Sequence, residues 1–377
     1  MAGTEPKKFF QQKRSAAEVK EEILARFFPV WGELALSGSA AGTTKECLLV
    51  DLYAGKAGAE ADTPACSKIL KSIFASTGAR PNLNAACHTF LGETNKVALA
   101  ALEEHVRGLW YYPELLHPPV FLKDLASLEL LQNHLQAKTP ALVVTDPFGS
   151  KQSQQIMQQV LEKEGSDLFL LFEPAKLKAS VKASEEDGPV NSLYGSTVEA
   201  LRAFYVRNQQ AQKREDFTLK CLELSLQERT YQTLTFKICL PGKEQPYQYL
   251  LLASITNLAC TKLKEILLDF TDYQEDGVPQ MGANVKPVRL LVPEFAKYLP
   301  FSVHNLVLEL LQEATQYNRL SLEKIYEKHN VHTHYSKANY LTACEKLKEL
   351  GKILLINPKT GQQVHKLSYD CLIKFIG

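Results

Sequence analysis

Short apolar runs alternate with segments of helical periodicity through the first half of this 377-residue chain. Short apolar runs bounded by polar turns predict buried strands, and apolar residues at three- and four-residue spacing predict amphipathic helices. Five strand-then-helix units follow one another, which favours a parallel sheet with helices on both faces. The predicted strands are 47–50, 88–93, 119–124, 141–146 and 167–172, and a predicted helix at 15–36 precedes them. The segment 177–190 is rich in charged and small residues and predicts a mobile loop.

Two later regions complete the predicted architecture. Segments 232–238 and 247–252 flank a Pro-Gly-Lys turn and predict a β-hairpin. An open parallel sheet closed by such an antiparallel hairpin is the plan of the methyltransferase variant of the Rossmann fold. After a Gly-, Pro- and polar-rich segment, three predicted helices and two short strands indicate a winged helix. We therefore predict a Rossmann-like methyltransferase-type domain with an N-terminal helix at 1–271, a linker at 272–289 and a winged helix-turn-helix domain at 290–377.

Composition excludes several classes of protein. A formal net charge of +1 predicts no strong overall attraction to nucleic acid or membrane, so a basic surface would have to be local. The eight cysteines contain no pair at the two-residue spacing that zinc and iron–sulfur sites favour, and we interpret them as reduced, mostly buried thiols. The absence of a long apolar segment and of a secretory signal predicts a cytoplasmic protein without a membrane partner.

The loop after the first predicted strand carries the best candidate ligand site. Asp51 ends that strand, and Gly55 and Gly58 follow in a small-residue turn. Glycines let a backbone approach a ligand closely, and the next helix offers free N–H groups. If the loop binds S-adenosylmethionine, Asp51 would lie near the methionine amine. A tight turn without a ligand is an equal alternative on local sequence alone.

Acids also follow the second and third predicted strands. Glu93 stands where such folds accept hydrogen bonds from ribose hydroxyls, although it is farther from Asp51 than the roughly 20 residues that are usual. Asp124 could contact the adenine amine, and an N-cap of the following helix is the alternative.

The fourth predicted strand ends in Asp146-Pro147-Phe148-Gly149. Amino-methyltransferases place an acid, prolines and an aromatic residue at this position. There Asp146 would accept a hydrogen bond from the target amine, and Phe148 would stack on the base. The alternative is an ordinary Pro-Phe-Gly turn.

Histidines and the C-terminal region give weaker signals. Neither the set 88, 105, 117 and 134 nor the pair 332 and 334 shows a metal-ligand spacing, so we assign no metal ligand. Residues 331–377 contain seven lysines against three acids. Ser336, Lys337, Asn339 and Tyr340 open the third predicted helix, the position that enters a major groove in helix-turn-helix proteins. A protein-docking winged helix is the alternative.

These pieces, in this order, resemble the three-Cys-motif partner family, whose members have a Rossmann methyltransferase-like domain and a terminal winged helix. The resemblance covers most of the chain. It rests on the leading helix at 19–31, the loop at 49–55, the turn at 146–149, the segments 247–252 and 262–267, and the predicted winged helix. The family's usual Ala-Gly-Pro-Gly loop is interrupted here, since Lys56 and Ala57 precede Gly58.

The resemblance implies a partner with three clustered cysteines and a radical-S-adenosylmethionine-like iron–sulfur centre, and a role in nucleic-acid modification or repair. Our leading hypothesis is methyl transfer from S-adenosylmethionine to nucleic acid, with no covalent nucleophile from the protein. A catalytically inactive scaffold that docks a partner or nucleic acid is the alternative, which Lys56 and Ala57 favour. A ligand-sensing transcriptional regulator is a third reading, and it requires specific DNA binding by residues 290–377.

Overall fold

A computed structural model describes residues 9, 11, 16–37, 46–54, 65–137, 139–162, 166–182, 189–243, 246–286 and 298–376. The larger sheet contains eight of the described strands, in the spatial order β3-β2-β1-β4-β5-β7-β6-β8. Their bounds are β1 Cys47–Asp51, β2 Cys87–Leu91, β3 Val120–Phe121, β4 Ala141–Thr145, β5 Ser166–Phe172, β6 Gln232–Cys239, β7 Pro246–Ser254 and β8 Gly282–Ala283.

The larger sheet is mostly parallel. Strand β1 pairs in parallel with β2 on one side and β4 on the other, and β4 pairs in parallel with β5. Strand β7 then runs antiparallel between β5 and β6, so the predicted hairpin extends the sheet beyond β5. Strands β1, β4 and β5 are buried along their whole length, which explains their continuous apolar runs. The predicted Rossmann-like α/β fold is confirmed.

Helices cover both faces of this sheet and form an apolar core on each face. The sheet and the cores on its two faces are together called the larger core. One core contains the N-terminal helix Ala16–Ser37 and the helices Ala65–Ala75, Lys96–Arg107 and Asn257–Leu267, and the other contains Leu125–Gln136, Lys151–Leu161 and Ala211–Glu228. The shorter helices are Leu83–Ala86, Pro174–Lys182, Pro189–Tyr194 and Val198–Arg207, with 3₁₀ turns at Tyr112–Glu114 and Gly195–Thr197.

The N-terminal helix runs through Pro29 and buries one apolar face. Val19, Ile23 and Phe27 are fully buried on it. The indole N–H of Trp31 donates a 2.7 Å hydrogen bond to Asp167 at the start of β5. This helix is therefore part of the larger core, and its side chains reach the sheet.

Two local predictions need correction. We expected a loop at 177–190, but Pro174–Lys182 and Pro189–Tyr194 are helical, and residues 183–188 lie outside the described part. Leu177 and Val181 are buried against the core, so tertiary packing overrides the polar composition of this segment. The third strand is also shorter than the predicted 119–124, since only two of its residues pair with β2.

The described part of the predicted linker, residues 272–286, joins the larger sheet. Strand β8 pairs in parallel with β6, and the N–H of Asp272 donates to the carbonyl of Gly282. Met281 is buried in the larger core, whereas Val278 is buried in the smaller core that the C-terminal residues form. These residues connect the larger core with the smaller core by packing against both.

Residues 298–376, together with Val278, form a separate apolar core, called the smaller core. Its helices are Val303–Gln312, Ala314–Tyr317, Leu322–His329 and Lys337–Glu349, and its strands are β9 Leu320–Ser321, β10 Ile353–Ile356, β11 Gln363–Val364 and β12 Leu372–Phe375. The four strands pair antiparallel in the order β11-β10-β12-β9.

All eight cysteines are buried free thiols, as predicted. Among the helices of the described residues, none combines the length and the apolarity needed to cross a membrane.

Candidate functional site

The candidate site lies at the carboxyl ends of β1, β2, β4 and β5. The chain proceeds from β1 towards β2 and β3 on one side, and later to β4 and β5 on the other. The strand order therefore reverses between β1 and β4, and in open α/β sheets the crevice at that point is the usual ligand site. Asp51 ends β1, Asp146 follows β4 and Lys176 follows β5.

Asp51 is fully buried and already paired. The ammonium of Lys20, on the N-terminal helix, lies 2.8 Å and 3.1 Å from the two carboxylate oxygens. The N–H of Tyr53 donates to the same carboxylate at 3.0 Å, and Lys20 also donates to the Tyr53 carbonyl. A buried ammonium thus occupies the side of Asp51 on which we expected a cofactor amine. Gly55 and Gly58 lie outside the described residues.

Asp146 is also paired with a lysine. Its carboxylate accepts the N–H of Phe148 at 2.9 Å, and Lys176 contacts the other oxygen at 2.5 Å. Asp146 is 6% exposed, whereas the Lys176 side chain is 43% exposed. Burial alone would lower the pKa of Lys176, but the hydrogen bond and ion pair to Asp146 raise it above its ordinary value.

The turn after β4 is tight. The N–H of Gly149 donates to the carbonyl of Asp146 at 3.0 Å, and a Cβ at Gly149 would lie only 3.0 Å from that oxygen. The half-buried ring of Phe148 packs edge-to-face on Phe172 at 5.5 Å. The predicted aromatic residue is therefore anchored to the last residue of β5.

Tyr53 connects the loops at this edge. Burial raises the pKa of its hydroxyl; the Lys176 charge opposes this shift, and the Asp146 and Glu93 charges reinforce it. Groups from the loops after β1, β2, β4 and β5 are thus within electrostatic range of one another. The structure therefore brings Asp146 and Glu93 to the same edge of the sheet.

Glu93 lines a cavity of about 360 Å³ beside these loops. Thr94, Leu122, Lys123, Ser150 and Gln152 contribute to its wall, so the cavity joins the ends of β2, β3 and β4. One Glu93 oxygen accepts from the Thr94 N–H at 2.8 Å and from its hydroxyl at 2.9 Å. This volume is at the low end of the range for small-molecule sites, about 300–1,000 Å³.

Asp124 is an exposed N-cap. Its carboxylate accepts the Ser127 N–H at 2.8 Å, and the Ser127 side chain completes a capping box. The hydrogen bond from the Ser127 backbone lowers the pKa of Asp124. The structure therefore places Asp124 in the capping role that the sequence also allowed.

The start of the helix Lys337–Glu349 is covered. Ser336, Asn339 and Tyr340 are buried, and the Asn339 amide donates to the Gly277 carbonyl at 2.9 Å. The ammonium of Lys337 lies 2.8 Å from a carboxylate oxygen of Glu323 and 3.5 Å from one of Glu265, which belongs to the larger core. This turn packs against 272–286 and the helix Asn257–Leu267, and it is not open to a DNA groove in this arrangement.

Sequence reasoning missed both lysines. Lys176 carries a usable signal, because it stands a few residues after the fifth predicted strand and therefore at the same sheet edge as Asp146. The sequence signal at Lys20 is weaker: it is a charged residue next to Val19 on an otherwise apolar helix face. Only the packing of the helix shows that this charge meets Asp51.

Comparison of the chain with protein-family models and with curated proteins gives no match. Among solved structures, the crystal structure of protein LPL1258 from Legionella pneumophila str. Philadelphia 1, described by the family model DUF519, is similar to part of the chain. It is 11% identical, covers 67% of this chain and 91% of its own length, and has a TM-score of 0.34. A likeness this weak carries no argument about function.

Proposed function

We propose that the larger core is a methyltransferase-type domain that binds S-adenosylmethionine at the carboxyl ends of β2, β3 and β4 and methylates an amine of a nucleic acid. The observation that carries the proposal is the cavity of about 360 Å³ that Glu93 lines at this edge. The strand order, with antiparallel β7 between β5 and β6, supports it as the plan expected for this class. Glu93 would accept the ribose hydroxyls.

The crevice residues divide the remaining work. Bound S-adenosylmethionine would supply an electrophilic methyl group. Asp146 would accept a hydrogen bond from the acceptor amine and hold its lone pair towards that group. Lys176 has to leave Asp146 first, and its exposed side chain can swing into solvent. Phe148 would provide the aromatic surface beside the base, and Asp51 would fix the loop after β1 through Lys20 and Tyr53.

Calorimetric titration of the full chain with S-adenosylmethionine and S-adenosylhomocysteine tests the cofactor site. Glu93→Gln removes the charge and keeps the shape, and we expect at least tenfold weaker binding, about 1.4 kcal/mol. Glu129→Gln, an exposed acid outside the cavity, is the matched control. A folded wild-type chain that binds neither compound contradicts the proposal, as does a Glu93→Gln chain that binds like wild type.

Asp124→Asn sharpens this titration. Asparagine is as good an N-cap as aspartate, so the substitution separates capping from ligand contact. Unchanged cofactor affinity supports capping alone, and weaker affinity adds Asp124 to the adenine contacts.

A scaffold without catalysis is the second candidate, and one observation favours it. The two acids expected to contact the cofactor and the acceptor, Asp51 and Asp146, are each paired with a lysine. The resemblance adds an iron–sulfur protein with three clustered cysteines as the partner. Asp146→Asn discriminates between the candidates: it should abolish methyl transfer by an enzyme with cofactor binding intact, whereas co-purification of the partner with a scaffold should be unaffected.

We propose that residues 298–376 are a winged helix that contacts the nucleic-acid backbone through a basic hollow. The exposed residues Arg319, Lys324 and Lys359 line this cavity of about 580 Å³ together with Asp370. Lys324→Gln with Lys359→Gln should reduce the slope of log affinity against log salt by about 0.7–0.9 per lysine. Lys71→Gln with Lys220→Gln, two exposed lysines of the larger core, should leave the slope unchanged. Equal slopes in both double variants would contradict this surface.

A further inference from the structure

A cluster of imidazoles and one carboxylate lies at the amino-terminal edge of the larger sheet, opposite the crevice. Glu46 immediately precedes β1, and His88 is the second residue of β2, paired with Leu48. His134 stands in the last turn of the helix Leu125–Gln136, and His117 precedes β3. The fold therefore gathers residues that are 42 and 46 positions apart in the chain, which explains why their spacing shows no metal motif.

The ligand atoms of this cluster converge. One donor atom each from Glu46, His88 and His134 lie within 4.8 Å of one another. His88 Nε2 is 3.7 Å from a Glu46 carboxylate oxygen, and the His88 and His134 rings are 4.6 Å apart. In a tetrahedral zinc site the ligand atoms are about 3.3 Å apart, so modest side-chain rotations close this set around an ion. Glu46, whose side chain is 43% exposed, is free to make the largest rotation.

His88 Nε2 is the second observation that points to a ligand. Among the described residues, no group makes a hydrogen bond to this buried nitrogen. An unsatisfied buried polar atom destabilises the folded chain, and metal coordination is one way to satisfy it.

We propose that Glu46, His88 and His134 bind a divalent transition-metal ion, with Zn²⁺ the best match to two imidazoles and one carboxylate. The site is structural: it joins β1, β2 and the helix Leu125–Gln136 at the edge of the sheet remote from the crevice. His117 supports it without coordinating. Its ring centroid lies 4.1 Å from that of His88 with the planes tilted by 36°, and its Nε2 donates to the Ala85 carbonyl at 3.2 Å. Water completes the coordination from the exposed side of Glu46.

Titration of the full chain with zinc chloride, followed by calorimetry and by thermal unfolding, tests the site. We expect one equivalent of Zn²⁺ to bind and to raise the melting temperature, because the ion binds only the folded site. Cobalt(II) in place of zinc should give the intense visible absorption of a four-coordinate site. Glu46→Gln and His134→Gln should each weaken binding by about tenfold or more.

Two controls locate the ion. His304→Gln, an exposed histidine of the smaller core, should bind Zn²⁺ like wild type, and His365→Gln, also exposed there, should do the same. Glu46 is exposed, so the Glu46→Gln variant folds and keeps the test decisive. The proposal is overturned by a folded wild-type chain without saturable Zn²⁺ binding, or by unchanged affinity in Glu46→Gln.

Discussion

Lys20 and Lys264 are both fully buried lysines, and they differ in what surrounds the ammonium. Lys20, inside the larger core, meets the Asp51 carboxylate at 2.8 Å. Lys264, where the two cores meet, donates to the Asn330 carbonyl at 2.5 Å and to its side-chain oxygen at 3.1 Å. Burial lowers the pKa of Lys264 to about 7. The ammonium of Lys20 is paired with an opposite charge. The hydrogen-bond partners of Lys264 are neutral and the Glu265 charge only partly opposes the effect of burial, so the contact between the cores is sensitive to pH.

Breaking the Lys20–Asp51 pair should have the largest effect. Lys20→Met leaves the Asp51 carboxylate buried without its ammonium, and we expect a loss of about 3–5 kcal/mol in the free energy of unfolding, measured by urea denaturation. The double variant Lys20→Met with Asp51→Asn should recover much of this loss, since neither charge remains. A single variant as stable as wild type would show that the pair does not stabilise the larger core.

The pH dependence of stability sharpens the comparison. Lys264 binds a proton more weakly in the folded chain than in the unfolded one, so stability should rise with pH from about 7 towards the ordinary lysine value near 10.4. Between pH 7 and 9 we expect a gain on the order of 2 kcal/mol in the free energy of unfolding.

Lys264→Met should remove this slope. Three histidines and one thiol surround Lys264. Burial lowers the pKa of His329 and His332, and it lowers the pKa of His334 to about 4. Burial also raises the pKa of the Cys260 thiol to about 12. These histidines are neutral and the thiol stays protonated through the window, so Lys264 is the titrating member of this group. An unchanged slope in Lys264→Met would assign the dependence to other residues.

The Asp146–Lys176 pair should have the smallest effect on stability. Asp146 is buried, but the Lys176 side chain is 43% exposed and its charge is screened by solvent, so we expect a contribution of about 1 kcal/mol. Lys176→Met should therefore leave the urea midpoint nearly unchanged, whereas Lys20→Met should not. A large loss in Lys176→Met would show that this lysine is structural and cannot release Asp146.

The elements of the fold were largely predictable because their signals are local. The helix Leu125–Gln136 and its Asp124 cap follow from the apolar spacing and the residue before it. The segment 177–190 was not predictable in the same way, because burial of Leu177 and Val181 overrides its polar composition. The candidate site was predictable only in part: Glu93 and Asp146 follow strands whose ends share an edge, but Lys20, the partner of Asp51, comes from the N-terminal helix.

The sequence by itself determined the alternation of strands and helices, the acids at the strand ends and the free thiols, because periodicity and caps act over a few residues. Only the tertiary structure decided that Lys20 meets Asp51, that 272–286 packs on both cores, and that Glu46, His88 and His134 converge. Each of these contacts joins residues that are distant in the chain. Strand order and helix packing place them together, and these depend on burial summed over the whole molecule rather than on any local pattern.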